Sequence, residues 1–447
     1  MTDTKLPPEA DKFLNKIGDR TAVIGIIGMG YVGLPLALGF AEKQFKVIGF
    51  DVDPGKIKAL AEGRAYLTHI QASRIASARG QLEGTTDFGR LGEPDAVIIC
   101  VPTPLTLQQE PDMSYIIKTA EAIIPRMRKG QLIILESTTY PGTTDGLLKN
   151  MLDKTGLKFG SDYFLAFSPE REDPGNPDYC TTTIPKVVGG VDSVSGDLAV
   201  ALYDTIMKQT VRVSSASAAE AVKLTENIFR AVNIAQVNEL KMIYDKMGID
   251  IWEVLDAAES KPFGFMRFNP GPGWGGHCIP LDPFYLSWKA KEFGEPARFI
   301  ELAGQINVAM PHYVIGKLQY ALNSQSKSVK GSSVLLLGLA YKKDIGDTRE
   351  SPSTEIMQIL EKLGAKISFH DPFVPEIGAM RHAPEMKGMK CTPLTADTVR
   401  SFDAVLIITD HTKVDYALVS EHARILVDTR GITRKLKLKP KGLLVQA

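Results

Sequence analysis

The fold is decided by residues 22–43, AVIGIIGMGYVGLPLALGFAEK. Residues 22–27 form an apolar, β-branched run that is typical of a strand buried on both faces. The run after Gly33 has the apolar spacing of a helix, and between the two stands GMGYVG, which fits G-x-G-x-x-G. A strand, a glycine turn and a helix in this order predict the first unit of a dinucleotide-binding sheet.

The three glycines of this turn have separate roles in such a site. Gly28 makes the tight turn, Gly30 lets the backbone approach a pyrophosphate, and Gly33 lets helix and strand pack closely. Tyr31 and Val32 complete the turn at a helix N-terminus, whose unpaired N–H groups attract phosphate. We therefore predict that these five residues bind the cofactor.

An acidic residue distinguishes between the two nicotinamide cofactors. Asp51 closes the next apolar run, at the spacing where a carboxylate binds a ribose diol and repels a 2′-phosphate. This predicts NAD rather than NADP. Asp53 is the alternative ribose partner, but it lies past the expected end of the strand.

Strand-like runs alternate with helical ones at both ends of the chain, whereas the middle, residues 216–326, is mostly helical in pattern. The further strand-like runs are 47–50, 96–101, 132–135, 333–337, 367–369, 404–408 and 425–427. We predict an α/β protein with two Rossmann-like doubly wound parallel sheets joined by a central α-helical domain. The expected divisions are a loosely ordered lead-in at 1–20, an NAD-binding domain at 21–212, the helical domain at 213–326 and the second sheet at 327–447.

The composition excludes several classes of protein. The chain has 447 residues, 44% hydrophobic and 23% charged, with 52 Lys plus Arg against 52 Asp plus Glu. Zero net charge does not favour binding to nucleic acid or to an anionic membrane, and no apolar run approaches the ~20 residues of a membrane span. A cytoplasmic location is the default expectation. The four cysteines are far apart and form no CxxC pair, so neither a metal site nor a disulfide framework is expected.

Chemistry-bearing residues follow the predicted strands. The segments VPTP (101–104), ESTTYPG (136–142) and SPEREDPG (168–175) each come after an apolar run, at the sheet edge where open α/β folds bind ligands. On the helical stretch, Lys223 and Asn227 are four residues apart and share one face. The alternative is that both residues lie on a solvent-exposed face of the helix.

One cysteine stands in an unusual setting, GPGWGGHCIPLDP at residues 271–283. Four glycines precede Cys278 and Asp282 follows it, so the backbone there can approach a ligand closely. Cys278 is a candidate nucleophile, and the alternative is a glycine-rich surface loop with an incidental buried cysteine. His277 is adjacent and would point to the opposite side of an extended segment, so we assign it no acid–base role.

Seven ordered segments together resemble the UDP-glucose/GDP-mannose dehydrogenase family over nearly the whole chain. They are GMGYVG (28–33), VPTPL (101–105), ESTTYPGTT (136–144), SPER (168–171), AEAVKLTENIFRA (219–231), the glycine–cysteine segment, and GLAYKKDIGDTRES (338–351). Within the family, GGHCIPLDPFYL (275–286) is similar to the branch that oxidises UDP-N-acetylhexosamines, and KPFGFM (261–266) is most similar to enzymes acting on UDP-N-acetylglucosamine.

The resemblance implies a four-electron oxidation of a primary alcohol to a carboxylate with two NAD. Cys278 would attack the intermediate aldehyde, and the thiohemiacetal would lose a second hydride to become a thioester that water hydrolyses. Lys223 and Asn227 resemble the pair that steadies the oxyanion, and Asp282 and Thr138 the pair that orients water.

Three acidic residues compete for the role of hydrolytic base. Glu170 resembles the family's base, and Glu172 and Asp173 are its rivals because REDPG replaces a longer acidic stretch. Thr103 and Thr138 are expected beside the cofactor.

The third domain resembles the family's UDP-binding half. Lys342 and Arg430 match a lysine near the sugar and phosphate and an arginine near the nucleotide. Phe265 and Gly273 would enclose the uridine or sugar. Arg171, Glu170, Lys223 and Asn227 complete the expected substrate site. Arg267 departs from the closest branch, where a small or apolar residue is expected.

The expected activity is oxidation of UDP-N-acetyl-D-glucosamine to UDP-N-acetyl-D-glucosaminuronate for bacterial surface polysaccharide, by a homodimer or higher homo-oligomer that contacts neither nucleic acid nor membrane. Oxidation of UDP-N-acetyl-D-mannosamine, UDP-N-acetylgalactosamine or UDP-glucose is the alternative within the family. Outside it stand a one-step NAD hydroxy-acid dehydrogenase, which needs no thiol, and a sensor that binds both ligands without turnover.

Overall fold

The computed structural model of this protein describes residues 6–67, 70–106, 108–171, 181–276, 279–378, 380 and 383–447. The chain forms two compact units. The first unit comprises Met1–Glu226 and Phe284–Glu295, and the second comprises Asn227–Pro283 and Pro296–Ala447.

The described residues contain thirteen strands. They are β1 (Val23–Ile27), β2 (Lys46–Phe50), β3 (Leu82–Thr85), β4 (Ala96–Ile99), β5 (Gln131–Leu135), β6 (Tyr163–Phe167), β7 (Lys186–Gly190), β8 (Thr210–Val213), β9 (Ser333–Leu337), β10 (Lys366–His370), β11 (Ala404–Ile407), β12 (Ile425–Asp428) and β13 (Leu443–Gln446).

Fifteen α-helices accompany these strands in the described part of the chain. They are α1 (Pro8–Gly18), α2 (Gly33–Glu42), α3 (Pro54–Glu62), α4 (Ala72–Ser77), α5 (Ser114–Ile123), α6 (Lys149–Leu152), α7 (Ser193–Tyr203), α8 (Ala216–Met247), α9 (Ile251–Glu259), α10 (Asp282–Ala290), α11 (Arg298–Ser324), α12 (Pro352–Lys362), α13 (Ala396–Ser401), α14 (Tyr416–His422) and α15 (Ile432–Lys435).

The first unit is built on an eight-stranded sheet in the order β3-β2-β1-β4-β5-β6-β7-β8. Strands β4, β5 and β6 are buried along their whole length, as expected when helices cover both faces of a sheet. The order of the first six strands is that of a dinucleotide-binding sheet, so the predicted doubly wound fold is confirmed. One pair departs from the prediction, because β7 runs antiparallel to β6.

The second unit contains a five-stranded sheet in the order β10-β9-β11-β12-β13, and every adjacent pair is parallel. Four of these strands coincide with the apolar runs that the sequence analysis assigned, and β13 was not predicted. The strands β9, β11 and β12 are almost wholly buried. The second parallel sheet is therefore confirmed.

The region between the sheets is helical, as predicted. It contains α8, with 32 residues, and α11, with 27 residues. The glycine–cysteine segment follows α9 in the chain, and its last two residues, Asp282 and Pro283, begin α10. The domain divisions at residues 20, 212 and 326 stay a prediction.

Residues 8–18 differ from the expected loosely ordered lead-in, because they form helix α1. Ala10, Phe13 and Ile17 are buried on one face of this helix. Lys16 also forms an ion pair of 2.8 Å with Asp95. The sequence carries the apolar spacing of an amphipathic helix at these positions, but the many charged residues between them favoured the expectation of a loosely ordered segment.

Candidate active site

The glycine turn after β1 has the geometry that a dinucleotide requires. Gly28 has φ +96°, in the left-handed region that favours glycine. A Cβ added at Gly33 would lie 2.0 Å from the carbonyl oxygen of Gly28, so no larger residue fits there. A Cβ added at Gly30 would meet no heavy atom within 4 Å, which leaves that face open to a ligand. The geometry is compatible with the separate roles proposed for the three glycines, which stay a prediction.

Asp51 stands beside this turn, at the end of β2. Its buried carboxylate accepts hydrogen bonds of 2.9 Å from the Met29 backbone N–H and from Lys56 Nζ. Asp53 instead caps α3, because its side chain accepts from the Gly55 N–H at 2.8 Å. The turn, the open face at Gly30 and Asp51 fit the pyrophosphate and ribose of NAD.

The segments after β4 and β5 lie side by side in the first unit. Ser137 Oγ donates to the carbonyl of Val101 at 2.7 Å, and the Tyr285 hydroxyl donates to the carbonyl of Thr103 at 2.8 Å. Thr103 is buried and Thr138 is half-buried. Both predicted threonines thus stand at the carboxyl edge of the sheet.

Glu170 belongs to a cluster of charged groups that the sequence analysis missed. Lys186 Nζ lies 3.0 Å from Glu136 Oε2 and 3.4 Å from Glu170 Oε2. The Tyr203 hydroxyl donates to the other Glu136 oxygen. Glu136 stood in a quoted segment without a role, whereas no local signal distinguished Lys186 or Tyr203.

Arg171, expected to bind substrate, has partners within the protein. Its guanidinium contacts Glu226, with Nη2–Oε1 at 2.5 Å and Nε–Oε2 at 3.2 Å, and Nη1 donates to the carbonyl of Pro185 at 2.7 Å. The side chain therefore ties the segment after β6 to α8. The rival bases Glu172 and Asp173 lie outside the described residues.

Lys223 and Asn227, one turn apart on α8, are both buried, so the solvated-face alternative is wrong. Lys223 Nζ has no hydrogen-bond or ion-pair partner among the residues that the structure describes. Asn227 Nδ2 donates to Asp282 Oδ2 at 2.5 Å, and Asp282 is also buried. Two residues predicted for separate catalytic tasks are therefore in direct contact.

The glycines before Cys278 approach other side chains of the second unit. A Cβ at Gly271 would lie 2.6 Å from Arg430 Nη1. Cβ atoms at Gly275 and Gly276 would lie 2.6 and 2.8 Å from the Tyr341 side chain. Close packing against the second sheet is thus one reason for glycine here, beyond the ligand access that the sequence suggested. Cys278 and His277 themselves lie outside the described residues.

Gly273 and the predicted nucleotide-binding residues also belong to the second unit. Gly273 has φ +136°, a backbone conformation that larger residues rarely adopt. Lys342 is half-buried in the loop after β9, and Phe265 is exposed. Arg430 is tethered by a 2.6 Å hydrogen bond from Nε to the carbonyl of Ile408, and burial lowers the pKa of its guanidinium.

Arg430 lines a cleft of about 440 Å³ in the second unit. Arg267, Asn269 and Trp252 also line it, and the Trp252 indole N–H is buried without a partner among the described residues. Arg267, the departure from the family pattern, contacts Asp256 at 2.8 Å and Glu259 at 2.7 Å. Its guanidinium is therefore held against α9.

Three sequence models of one family match the chain. The UDP-glucose/GDP-mannose dehydrogenase family matches with its NAD-binding domain at residues 22–207, its central domain at 217–309 and its UDP-binding domain at 335–435. The chain therefore belongs to the UDP-glucose/GDP-mannose dehydrogenase family. It is an NAD-dependent UDP-sugar dehydrogenase.

Relatives of similar identity differ in the sugar that their names carry. The UDP-N-acetyl-D-glucosamine 6-dehydrogenase of Pseudomonas aeruginosa is 35% identical over 87% of this chain and 90% of the relative. The NDP-N-acetyl-D-galactosaminuronic acid dehydrogenase of Ralstonia nicotianae is 34% identical over 92% of this chain and 96% of the relative. The solved UDP-D-ManNAc dehydrogenase of Pyrococcus horikoshii superposes with a TM-score of 0.85 at 31% identity, covering 95% of this chain and 98% of that one.

None of the helices in the described part of the chain combines the length and the apolar character needed to cross a bilayer.

Proposed function

We propose that this protein oxidises UDP-N-acetyl-D-glucosamine to UDP-N-acetyl-D-glucosaminuronate, as a precursor of bacterial surface polysaccharide. The observation that carries the reaction class is the face of α8, where Lys223, buried and without a hydrogen-bond or ion-pair partner among the described residues, stands one turn from Asn227. A buried cation needs an anionic partner, and an oxyanion formed during catalysis supplies one. The choice of sugar rests on the KPFGFM segment and the Pseudomonas relative.

NAD, bound at the Gly28–Gly33 turn and Asp51 with Thr103 and Thr138 nearby, supplies the hydride acceptor in both oxidations. The Cys278 thiolate adds to the aldehyde carbon to give a thiohemiacetal, whose oxygen is stabilised by Lys223 and Asn227. After the second oxidation, water hydrolyses the thioester. The sulfur leaves as the thiolate and the carboxylate product forms.

The residues around the water have separate tasks in this proposal. Glu170 accepts the proton of the attacking water, and Asp282 and Thr138 orient that water. The hydrogen bond from Asn227 to Asp282 supports this division, because the two side chains proposed for neighbouring tasks are in contact. Lys342 and Arg430 hold the diphosphate and nucleotide, enclosed by Phe265 and Gly273, and Arg171 orients Glu170 through its backbone.

We also propose the domain division given by the sequence, with NAD bound in residues 21–212, the catalytic and dimerisation helices in 213–326 and UDP-sugar bound in 327–447. A homodimer or higher homo-oligomer is part of this proposal. The cytoplasmic location stays a prediction.

The reaction class is tested by the number of NADH formed per sugar consumed. We expect two NADH and one carboxylate from the native chain. Cys278→Ser should form no carboxylate and retain NAD affinity, because the thiol is needed only for covalent capture of the aldehyde. Cys391→Ser, at a cysteine between β10 and β11, is the matched control and should keep native turnover. One NADH per sugar would indicate the one-step dehydrogenase, and none would indicate the sensor.

The sugar is tested by assaying four UDP-sugars side by side. We expect kcat/KM for UDP-N-acetyl-D-glucosamine to exceed the values for UDP-N-acetylgalactosamine, UDP-N-acetylmannosamine and UDP-glucose by about tenfold or more, which corresponds to about 1.4 kcal/mol. A higher value for another sugar would overturn the sugar assignment and leave the reaction class intact.

A further inference from the structure

The cluster around Lys186 lies at the carboxyl edge of the first sheet because β7 reverses direction. The antiparallel pairing of β6 and β7 sets Ala166 opposite Gly190 and Phe167 opposite Gly189. Ser168 Oγ donates to the carbonyl of Val187 at 2.8 Å, so the start of β7, which carries Lys186, lies beside the segment that carries Glu170. A parallel β7 would have placed its first residue at the other edge of the sheet.

Lys186 is almost fully buried, with 3% of its side chain exposed, and it has two carboxylate partners. Glu136 is wholly buried and is also held by Tyr203, whereas 14% of the Glu170 side chain is exposed. Burial opposes ionisation of Lys186, but the two carboxylates outweigh it and raise its pKa, so the lysine remains an ammonium ion. Of the two carboxylates, only Glu170 reaches solvent.

The two oxygens of Glu170 have different partners. Oε1 accepts from the backbone N–H of Arg171 at 2.7 Å, and Oε2 lies 3.4 Å from Lys186 Nζ. Among the described residues, the other titratable groups at the cluster are Glu136, Tyr203 and the Cys100 thiol, and burial raises the pKa of the thiol. The Arg171 guanidinium is already paired with Glu226. Lys186 is therefore an ammonium group in direct contact with Glu170.

We propose that Lys186 is a positioning residue that orients the Glu170 carboxylate and keeps it ionised as the base for thioester hydrolysis. The inference rests on the proposed role of Glu170. When Glu170 accepts the proton of water, the cluster passes from one net negative charge to none, with Lys186 and Glu136 still paired. The buried ion pair thus stays intact while the solvent-reaching carboxylate exchanges its proton.

The test compares variants in which the buried charges remain balanced. Lys186→Met alone would leave Glu136 buried without a counter-ion, so Glu136→Gln serves as the reference. Lys186→Met and Lys186→Arg are each added to that reference. The covalent adduct on Cys278 is measured by acid quench and mass spectrometry from pH 5 to 9, with KM and NAD affinity determined on the same preparations.

Relative to Glu136→Gln, we expect the double variant with Lys186→Met to have a pH midpoint of hydrolysis that is higher by about one pH unit or more. The reason is that a neighbouring cation lowers a carboxyl pKa by about 1–3 units. The thioester should accumulate below that midpoint. Lys186→Arg should restore the reference profile, and Lys158→Met, at an exposed lysine, should leave the native profile unchanged. KM for the sugar should stay within about twofold, since the cation acts on the base.

Two outcomes separate the inference from the proposed function. If Glu170→Gln hydrolyses the thioester as fast as the native chain, Glu170 is not the base. The proposed role of Glu170 and the inference about Lys186 are then both overturned. The second outcome is that Glu170→Gln hydrolyses the thioester slowly while Glu136→Gln and its combinations with Lys186→Met and Lys186→Arg share one pH midpoint of hydrolysis. In that case only the role of Lys186 is overturned.

Discussion

At the scale of single residues, glycines with the same apparent role differ in what surrounds them. Gly33 packs against the backbone of Gly28, whereas Gly30 faces open space. The repeated glycine in the fingerprint does not distinguish a packing position from a ligand-facing one. The two positions differ in their surroundings in the folded chain, so substitutions at them should have different effects.

We expect Gly33→Ala to reduce mainly the stability of the fold and Gly30→Ala to reduce mainly the affinity for NAD. Gly33→Ala should destabilise the chain by at least about 1–3 kcal/mol, because its Cβ would lie 2.0 Å from a carbonyl oxygen. Gly30→Ala should change stability by less than about 0.5 kcal/mol and weaken NAD binding on the order of tenfold. Thermal unfolding and calorimetric NAD titration measure the two effects. Equal loss of stability in both variants would contradict this assignment.

The sequence supplied candidate site residues but not the contacts among them. Gly28, Gly33 and Asp51 were recognisable because their roles depend on neighbours in the chain. The Arg171–Glu226 pair spans 55 residues, and Lys186–Glu136 spans 50. Such contacts depend on which strands become neighbours, and this is not encoded in any short segment.

At the scale of elements, one buried carboxylate joins α8 to the segment after β5. Glu220 accepts from the backbone N–H groups of Gly142 and Thr144 at 2.7 and 2.9 Å, and from Thr144 Oγ1 at 2.6 Å. Gly142 precedes the π-helical turn Thr143–Leu148. This carboxylate therefore anchors the segment that carries Thr138 to the helix that carries Lys223.

We expect the Glu220 anchor to make stability depend on pH. Burial raises the pKa of Glu220 from 4.5 to about 7, so the folded chain binds a proton that the unfolded chain releases above pH 4.5. The contribution of protonated Glu220 to the free energy of unfolding is complete below pH 4.5 and is lost as pH rises through about 7. The loss is at most roughly 3 kcal/mol. Urea unfolding of the native chain and Glu220→Gln at pH 5 to 8 should therefore diverge with rising pH. Glu361→Gln, at an exposed position on α12, should track the native chain, and parallel curves for Glu220→Gln would contradict the raised pKa of Glu220.

At the scale of the whole molecule, the long helices leave apolar side chains exposed. Phe229, Ile243 and Met247 on α8 and Phe299, Leu302 and Val308 on α11 are at least 46% exposed. All six belong to the second unit. An apolar surface of this kind favours association with another chain, and a second copy is the partner that we propose.

We expect the native chain to sediment at twice its 48.8 kDa mass. Introducing charge with Phe299→Asp and Leu302→Asp should shift it to monomer, because the charge would be buried in the dimer. Leu363→Asp, at an exposed leucine just after α12, is the control and should leave the mass unchanged. A native monomer at micromolar concentration would exclude this dimer.

The sequence by itself determined the parallel sheets, the NAD turn and the family, because these depend on local periodicity and on closely spaced residues. It also made Lys223, Asn227 and Asp282 candidates for the site, but it did not predict the contact between the last two. Only the tertiary structure decided that β7 reverses, that Lys186 meets Glu136 and Glu170, and that residues 8–18 form a helix packed into the first unit. The physical reason is that burial and ion pairing join groups distant in the chain, and strand order sets which of them meet.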